Sequence, residues 1–225
     1  MILKIDEINK RSIPYEEYFG IMDLSEKQLK ARIDFAERLE EEIMTIFSLF
    51  DVLSDFSYAD DTLIKNQLKQ AYLDVSMSVG VVIDDNVDWL GLLFAMNFVD
   101  ATRRHVERLK GNQVPDATEN ETMDKPSDAW FLSEDRAKYN AENEANTVLN
   151  YSDFQAAKNN YKFKTWITEN DSRVRASHIP LEGETIPINE YFVVGDSLMR
   201  FPKDLEFSPS PEEIVNCRCS ISYHN

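Results

Sequence analysis

The chain has 225 residues, 43% of them hydrophobic, which is enough to bury a core without disulfides. Its 41 acidic and 24 basic residues give a formal net charge of −17 at pH 7. That charge argues against direct nucleic-acid binding and against an anionic membrane surface as a partner, because both need a clustered basic face. It favours solubility and basic protein partners.

Three further patterns concern the compartment. The most apolar stretch, residues 89–99, is too short to span a bilayer, so we expect no membrane partner. The N-terminus lacks the basic and apolar regions of a signal peptide. Two cysteines at i, i+2 are poorly placed to bridge each other in an extended segment. We therefore expect a chain, or a particle containing it, that is assembled in the cytoplasm.

The sequence divides into five predicted segments. Residues 1–24 mix chain breakers with aromatic residues and predict an N-terminal strap, and residues 25–110 predict a helical body. Residues 111–128 contain Gly, two Pro and no periodicity, which indicates a linker loop. Residues 129–160 predict a connecting helix, and residues 161–225 a small C-terminal module with short antiparallel strands. The expected fold class is α+β.

Four helix starts are predicted from residues that cap a helix or favour its positive end. The first is a capping box, in which Gln28 follows Ser25 by three residues. The capping or acidic residues at the four starts are Ser25, Asp60 with Asp61, Asp84 with Asp85, and Ser133.

After Asn160 the periodicity changes to that of strands. Phe163, Thr165 and Ile167 alternate with lysines, which predicts a half-buried strand with Trp166 on its opposite face. Residues 185–188 predict a short edge strand, because proline is tolerated mainly at sheet edges. Residues 191–194 and 214–222 predict two more strands.

The densest set of reactive side chains lies between the first two of these strands. It comprises Asp171, Arg173, Arg175, His178 and Glu182. One interpretation is an anion grip with His178 as acid or base, as in a metal-free ribonuclease. The other is a polar network that fixes turns. The network is favoured, because there is no paired nucleophile and base, no glycine-rich phosphate loop and no HExxH motif, so we expect a protein that is not an enzyme.

Cys217 and Cys219 would share one face of a strand and could bind a metal together with His178. Thiolate and imidazole are the usual ligands of zinc. The fourth ligand would come from Asp171, Glu182 or His224. The alternative, two small buried core residues, is favoured because a lone CxC departs from the usual CxxC pairs. We further predict that Arg173 or Arg175 contacts Asp171 or Glu182, and that His178 lies near a cysteine.

An ordered set of short motifs resembles the C-terminal module of the phage head morphogenesis family, the Mu F-like minor head proteins. The set is Thr165-Trp166, Asp171-Ser172-Arg173-Val174-Arg175, His178, Leu181-Glu182-Gly183, Pro187, Phe192 and Asn216-Cys217-Arg218-Cys219. The stretch 136–146 resembles the helix that precedes this module in the family.

The resemblance implies a virion or procapsid component that is present in few copies. Such a protein contacts the portal or other head proteins and serves head assembly or DNA packaging, inside the host bacterial cytoplasm. Related modules occur in bacterial polymorphic toxins, which leaves a nuclease-like or nucleotide-acting module using His178, Arg173 and Arg175 as the alternative. The resemblance carries over no catalytic residues.

Two positions depart from the family pattern. Glu182 stands where an Asp is more frequent before Gly183. Residues 201–204, Phe-Pro-Lys-Asp, replace the commoner Pro-Gly-Asp-Pro, so the resemblance does not predict the geometry of this loop.

Overall fold

The computed structural model describes residues 13–20, 22, 24–52, 58–109, 130 and 132–225. Helices come first and short antiparallel strands follow, so the α+β class is confirmed. The predicted linker, 111–128, and most of the predicted strap, 1–24, lie outside the described residues. The five predicted segment boundaries stay predictions.

Two compact units share the chain. We call residues 13–36 together with 142–225 the sheet unit, and the described part of 37–141 the helical unit. The helices are α1 Tyr15–Gly20, α2 Glu26–Val52, α3 Tyr58–Ser78, α4 Asp85–Leu109, α5 Glu134–Ala157 and α6 Pro211–Ile214. Within the described residues, none of them is long and apolar enough to cross a membrane.

Three of the four predicted helix starts are confirmed by their capping hydrogen bonds. The Gln28 amide N–H donates to Ser25 Oγ at 3.3 Å, and the Ser25 amide N–H donates to Gln28 Oε1 at 3.1 Å. Asp84 caps α4 and Ser133 caps α5 in the same way. Helix α3 begins at Tyr58, so the acidic pair predicted at its start falls in its first turn.

The helical unit is built on apolar stripes. Phe98 stacks on Phe47, with ring centroids 5.5 Å apart, and contacts Phe94 at 5.6 Å. The Arg136 guanidinium lies 4.4 Å from the centre of the Phe98 ring and donates to Thr102 Oγ1 at 2.8 Å. The apolar residues at helical spacing that are buried here include Leu39, Ile43, Phe47, Ile64, Leu68, Phe94 and Phe98.

The sheet unit contains a three-stranded antiparallel sheet and a separate hairpin. The strands are β1 Phe163–Ile167, β2 Thr185–Pro187, β3 Phe192–Val194, β4 Ser197–Met199 and β5 Ser220–His224. The sheet order is β2-β1-β5, and β3 pairs with β4. Strand β2 is the predicted edge strand, and the prediction of a strand over 191–194 is met by β3.

The predicted inner face of β1 is wrong. Lys164 and Trp166 are fully buried, whereas Phe163 is 39% exposed. Trp166 packs edge-on against Phe192 with ring centroids 5.1 Å apart, so the largest side chain of the strand decides which face turns inward. Lys164 tolerates this face because its Nζ donates to the Glu190 carbonyl at 2.6 Å.

The strand predicted over 214–222 is also wrong in its first half. Residues 211–214 form helix α6, and β5 begins only at Ser220. Ser210 caps α6 and Pro211 occupies its first turn, a combination that favours a helix start. Both cysteines therefore lie in the irregular segment between α6 and β5.

Candidate functional site

His178, Cys217 and Cys219 form one buried cluster. The distance from His178 Nδ1 is 3.4 Å to Cys219 Sγ and 3.6 Å to Cys217 Sγ. The three potential ligand atoms all lie within 4.8 Å of one another. His178 is 1% exposed and the two cysteines 2% and 4%. The predicted proximity of His178 to the cysteines is confirmed.

The other nitrogen of the His178 ring faces a carboxylate. Nε2 lies 3.0 Å from Glu213 Oε2, and the Ser177 hydroxyl donates to the same oxygen at 2.6 Å. A carboxylate oxygen is an acceptor, so the ring donates from Nε2, and in the neutral imidazole Nδ1 then presents its lone pair to the sulfurs. Glu213 therefore fixes both the orientation and the tautomer of the imidazole.

Gly195, in the turn between β3 and β4, adds a steric constraint on Glu213. Its φ is +58°, and a Cβ atom there would lie 2.5 Å from Glu213 Oε1. A glycine thus satisfies both the left-handed backbone and the close approach of the carboxylate.

The pKa values follow from this crowding. A hydrogen bond from Cys219 lowers the pKa of the Cys217 thiol well below its usual range, against the opposing effect of burial, and His178 lowers it further. The hydrogen bond to Cys217, together with burial, raises the pKa of the Cys219 thiol. Burial acts to lower the pKa of His178, but its hydrogen bond and charge interaction with Cys217, together with the charge of Glu213, outweigh this and raise the pKa.

Helix α5 holds the cysteine segment through two asparagines. Asn143 Oδ1 accepts from the Asn216 amide N–H at 3.0 Å and from Lys203 Nζ at 2.6 Å. Asn150 Nδ2 donates to the Cys219 carbonyl at 3.3 Å. Asn216 has a positive φ of 56°, which turns the chain immediately before Cys217.

Asp171 anchors the turn that leads toward His178. Its carboxylate accepts from the Arg173 amide N–H at 2.9 Å and from Arg173 Nε at 3.1 Å, so the predicted Arg–Asp contact is confirmed. Arg218 NH2 donates to both carboxylate oxygens at 2.8 Å. Arg218 NH1 is also 3.8 Å from Glu169 Oε2. Arg218 thus ties the cysteine segment to the turn that precedes His178.

The side chains of the remaining predicted residues pair with groups outside the cluster. Arg175 donates to the Val215 carbonyl. Glu182 accepts from the Thr168 amide N–H. His224 Nε2 pairs with the Thr165 hydroxyl at 2.9 Å on the sheet. Neither Glu182, nor His224, nor the arginine-paired Asp171 belongs to the cluster formed by the described residues.

Sequence reasoning missed Glu213, Asn143 and Asn150. The signal for α6 was present in Ser210-Pro211-Glu212-Glu213, where a cap, a proline and two acidic residues succeed one another. No local signal could have shown that Glu213 meets a histidine 35 residues away. Asn143 and Asn150 lie inside the predicted connecting helix, and their positions in its sequence pattern do not distinguish them from exposed polar residues.

The arrangement suits two kinds of chemistry. A thiolate, an imidazole and an orienting carboxylate make a nucleophile with its base, and two thiolates with an imidazole make a metal site. A nucleophile must meet its substrate, but both cysteines are almost completely buried. The burial also gives no support to His178 as an exposed acid or base beside Arg173 and Arg175. The geometry favours metal ligation.

The fold and the cluster define an α+β protein whose C-terminal sheet unit has a buried polar centre. Residues 105–222 match the family described as Phage Mu protein F like protein, which is more than half of the chain. The chain therefore belongs to this phage head protein family. No curated protein and no solved structure matches the chain significantly.

Proposed function

We propose that the chain is a minor head protein of a phage or prophage and acts in head morphogenesis or DNA packaging. It does so through contacts with the portal or another procapsid protein, in particles assembled in the host bacterial cytoplasm. Membership of the Mu F-like family, matched over residues 105–222, is the observation that carries this proposal.

The charge of the chain supports a protein partner rather than DNA. A net charge of −17 repels the phosphate backbone and attracts basic protein surfaces. Packaged DNA would therefore be handled by the assembly that this chain helps to build, and direct contact with DNA is not part of the proposal.

One surface of helix α4 suits such a contact. Trp89 is 47% exposed, Leu92 38% and Met96 43%. Their spacing places them on one side of the helix. Exposed tryptophan and methionine are enriched at protein interfaces. We name these three residues the α4 stripe and assign it to the portal contact.

Co-purification tests the contact. The full chain is co-expressed with the tagged portal protein encoded by the same phage genome, and we expect both proteins to elute together. The variant Trp89→Glu/Leu92→Glu should lose the portal. The control Leu63→Glu/Met77→Glu, which changes two residues of α3 that are both 57% exposed, should keep it. Retention of the portal by the stripe variant would overturn the assignment of the surface.

Deletion of the gene tests the function itself. We expect lysates of the deletion phage to contain few DNA-filled heads, and expression of the chain in trans to restore them. Wild-type numbers of filled, infectious heads without the chain would overturn the proposed role in assembly. Electron microscopy and plaque counts read out the result.

A further inference from the structure

We propose that Cys217, Cys219 and His178 bind a zinc ion, and that Glu213 is the positioning residue that holds His178 toward it. The inference rests on the cluster alone. It does not depend on the contact with the portal or on the role in head assembly.

The distances match those between the ligands of a tetrahedral zinc ion. Zn–S bonds of about 2.3 Å and Zn–N bonds of about 2.0 Å place sulfur and nitrogen about 3.5 Å apart at the tetrahedral angle. The observed separations from His178 Nδ1 are 3.4 Å to Cys219 Sγ and 3.6 Å to Cys217 Sγ. Both sulfurs thus stand where ligands of one ion would stand.

Both sulfurs converge on one nitrogen. Without an ion, hydrogen bonds link the three groups in a chain, in which Cys219 pairs with Cys217 and Cys217 with His178. With Nε2 donating to Glu213, the neutral ring has a single Nδ1 lone pair for the two sulfurs. An ion between the three atoms would satisfy the lone pair and both sulfurs together, and it would compensate two buried thiolates.

Glu213 completes the arrangement on the far side of the ring. A histidine that binds a metal donates its other N–H to a carboxylate or carbonyl, which fixes the ring and makes it a stronger ligand. Glu213 takes this position at 3.0 Å and is itself held by Ser177 at 2.6 Å. It lies opposite the sulfurs and so supports His178 without ligating the ion.

The residues around the cluster show that a zinc ion bound there would join two separate segments of the chain. His178 follows the turn at Asp171, and the cysteines follow helix α6, about 40 residues further along the chain. Arg218, between the cysteines, is ion-paired with Asp171. Among the described residues these three supply the ligands of the cluster, and the fourth position of a tetrahedral ion falls to a ligand outside this set.

Zinc content is the first test. The full chain is purified under reducing conditions from zinc-supplemented cells, dialysed and analysed by elemental mass spectrometry, and we expect about one zinc per chain. Cys217→Ser and Cys219→Ser should lose the zinc. His224→Gln, which changes a histidine of the same sheet unit outside the cluster, should retain it. Wild-type protein that carries no zinc and takes up none on titration would overturn the proposal.

A cobalt titration keeps the test independent of how the variants fold. Co²⁺ added to reduced, zinc-free wild-type protein should give the absorption of thiolate-to-cobalt charge transfer and of a tetrahedral ion, and zinc should then displace it. A spectrum of octahedral, oxygen-bound cobalt would exclude ligation by the cysteines.

Glu213→Gln tests the positioning role. Loss of a carboxylate that supports a ligating histidine weakens metal affinity about 10–100-fold. We expect that loss in the zinc Kd, measured by competition with a chromogenic chelator. Glu212→Gln, at the exposed neighbouring position, is the matched control and should leave the Kd unchanged. An unchanged Kd in Glu213→Gln would remove Glu213 from the proposal.

Discussion

The helical unit and the sheet unit bury different kinds of side chain. In the helical unit the interior consists mainly of apolar residues at helical spacing, with Arg136 as the one buried Lys or Arg among its described residues. The sheet unit has an apolar interior as well, and it also buries several charged or hydrogen-bonding groups. They include Arg32, Asn146, Asn150, Lys164, His178, Lys203, Asp204 and Arg218.

This difference separates two ways of specifying a structure. Apolar stripes stabilise through area removed from water and tolerate small changes in geometry. Buried polar groups contribute only when each finds a partner, so they select one arrangement of the chain and penalise others. The sheet unit combines both ways, because it buries apolar side chains such as Phe154, Trp166 and Phe192 beside its polar groups.

The largest expected effect belongs to the helical unit. Phe98→Ala removes a ring that is 3% exposed and contacts Phe47 and Phe94. We expect it to lower the free energy of unfolding by about 3–5 kcal/mol in chemical denaturation. Met96→Ala, at a position 43% exposed on the same helix, should change it by no more than about 0.5 kcal/mol. Similar losses in both variants would contradict an apolar core centred on Phe98.

The second largest expected loss of stability comes from replacing Arg32, which tests the buried polar network of the sheet unit. Arg32 is 1% exposed and donates to Asn146 at 3.3 Å, Asn150 at 2.9 Å and Asp153 at 3.2 Å. Arg32→Ala removes the donor of the Asn146 and Asn150 oxygens and leaves Asp153 with Gln28 Nε2 alone, so it should destabilise by about 3 kcal/mol.

Arg32→Met separates packing from hydrogen bonding at the same site. It keeps the aliphatic stem, so the loss that remains measures the missing donors. If Arg32→Ala unfolds at the wild-type denaturant concentration, the polar network contributes nothing to the stability of the sheet unit.

The buried Lys164 makes the stability of the folded chain depend on pH. Burial, assisted by Arg200, lowers the pKa of this lysine to about 8, although Asp204 and Glu190 act to raise it. Below about pH 8 the folded chain carries a buried ammonium group, and this destabilises it. As the pH rises from about 8 to the ordinary lysine value of 10.5, the folded chain loses the proton before the unfolded chain does, so this destabilisation is relieved.

The expected result is a wild-type stability that rises with pH relative to Lys164→Met. We expect the difference in unfolding free energy between the two proteins to shift toward the wild type by roughly 1–3 kcal/mol between about pH 7 and about pH 10. Urea denaturation at several pH values measures it. Lys162→Met, at an exposed position on the same segment, should show no such shift. Parallel pH curves for the wild type and Lys164→Met would show that the buried lysine does not titrate.

The smallest expected effects come from substitutions of helix-capping residues, and they should be equal in the two units. Ser25 caps α2 in the sheet unit, and Asp84 caps α4 in the helical unit. Ser25→Ala and Asp84→Ala should each lower the free energy of unfolding by about 1 kcal/mol. A much larger loss of unfolding free energy at one cap than at the other would contradict the expectation that capping contributes equally in the two units.

The same division explains what could be predicted from the sequence. Helix caps and apolar stripes depend on residues three or four apart, so Ser25, Asp84 and Ser133 were identified correctly. The inner face of β1 was predicted wrongly, because alternation does not show that Lys164 would find the Glu190 carbonyl. The pairing of His178 with the cysteines was predicted, whereas its carboxylate partner Glu213 arises only from the tertiary fold.

Lys203 shows how a departure from the family pattern can be accommodated. It lies in the loop 201–204, where the sequence departs from the family pattern, and adopts a positive φ of 69°. Its Nζ donates to the Asn143 carbonyl and to Asn143 Oδ1, each at 2.6 Å. The hydrogen bonds offset a backbone conformation that costs about 1 kcal/mol for a residue other than glycine. Neither the φ angle nor its partner is visible in the sequence.

The most direct test of a sheet unit organised around Cys217, Cys219 and His178 is X-ray absorption at the zinc edge. The wild-type chain is measured after reconstitution with one equivalent of zinc. We predict a first shell with two sulfur atoms at about 2.3 Å and at least one nitrogen at about 2.0 Å. A shell made only of oxygen and nitrogen atoms would contradict the proposed centre.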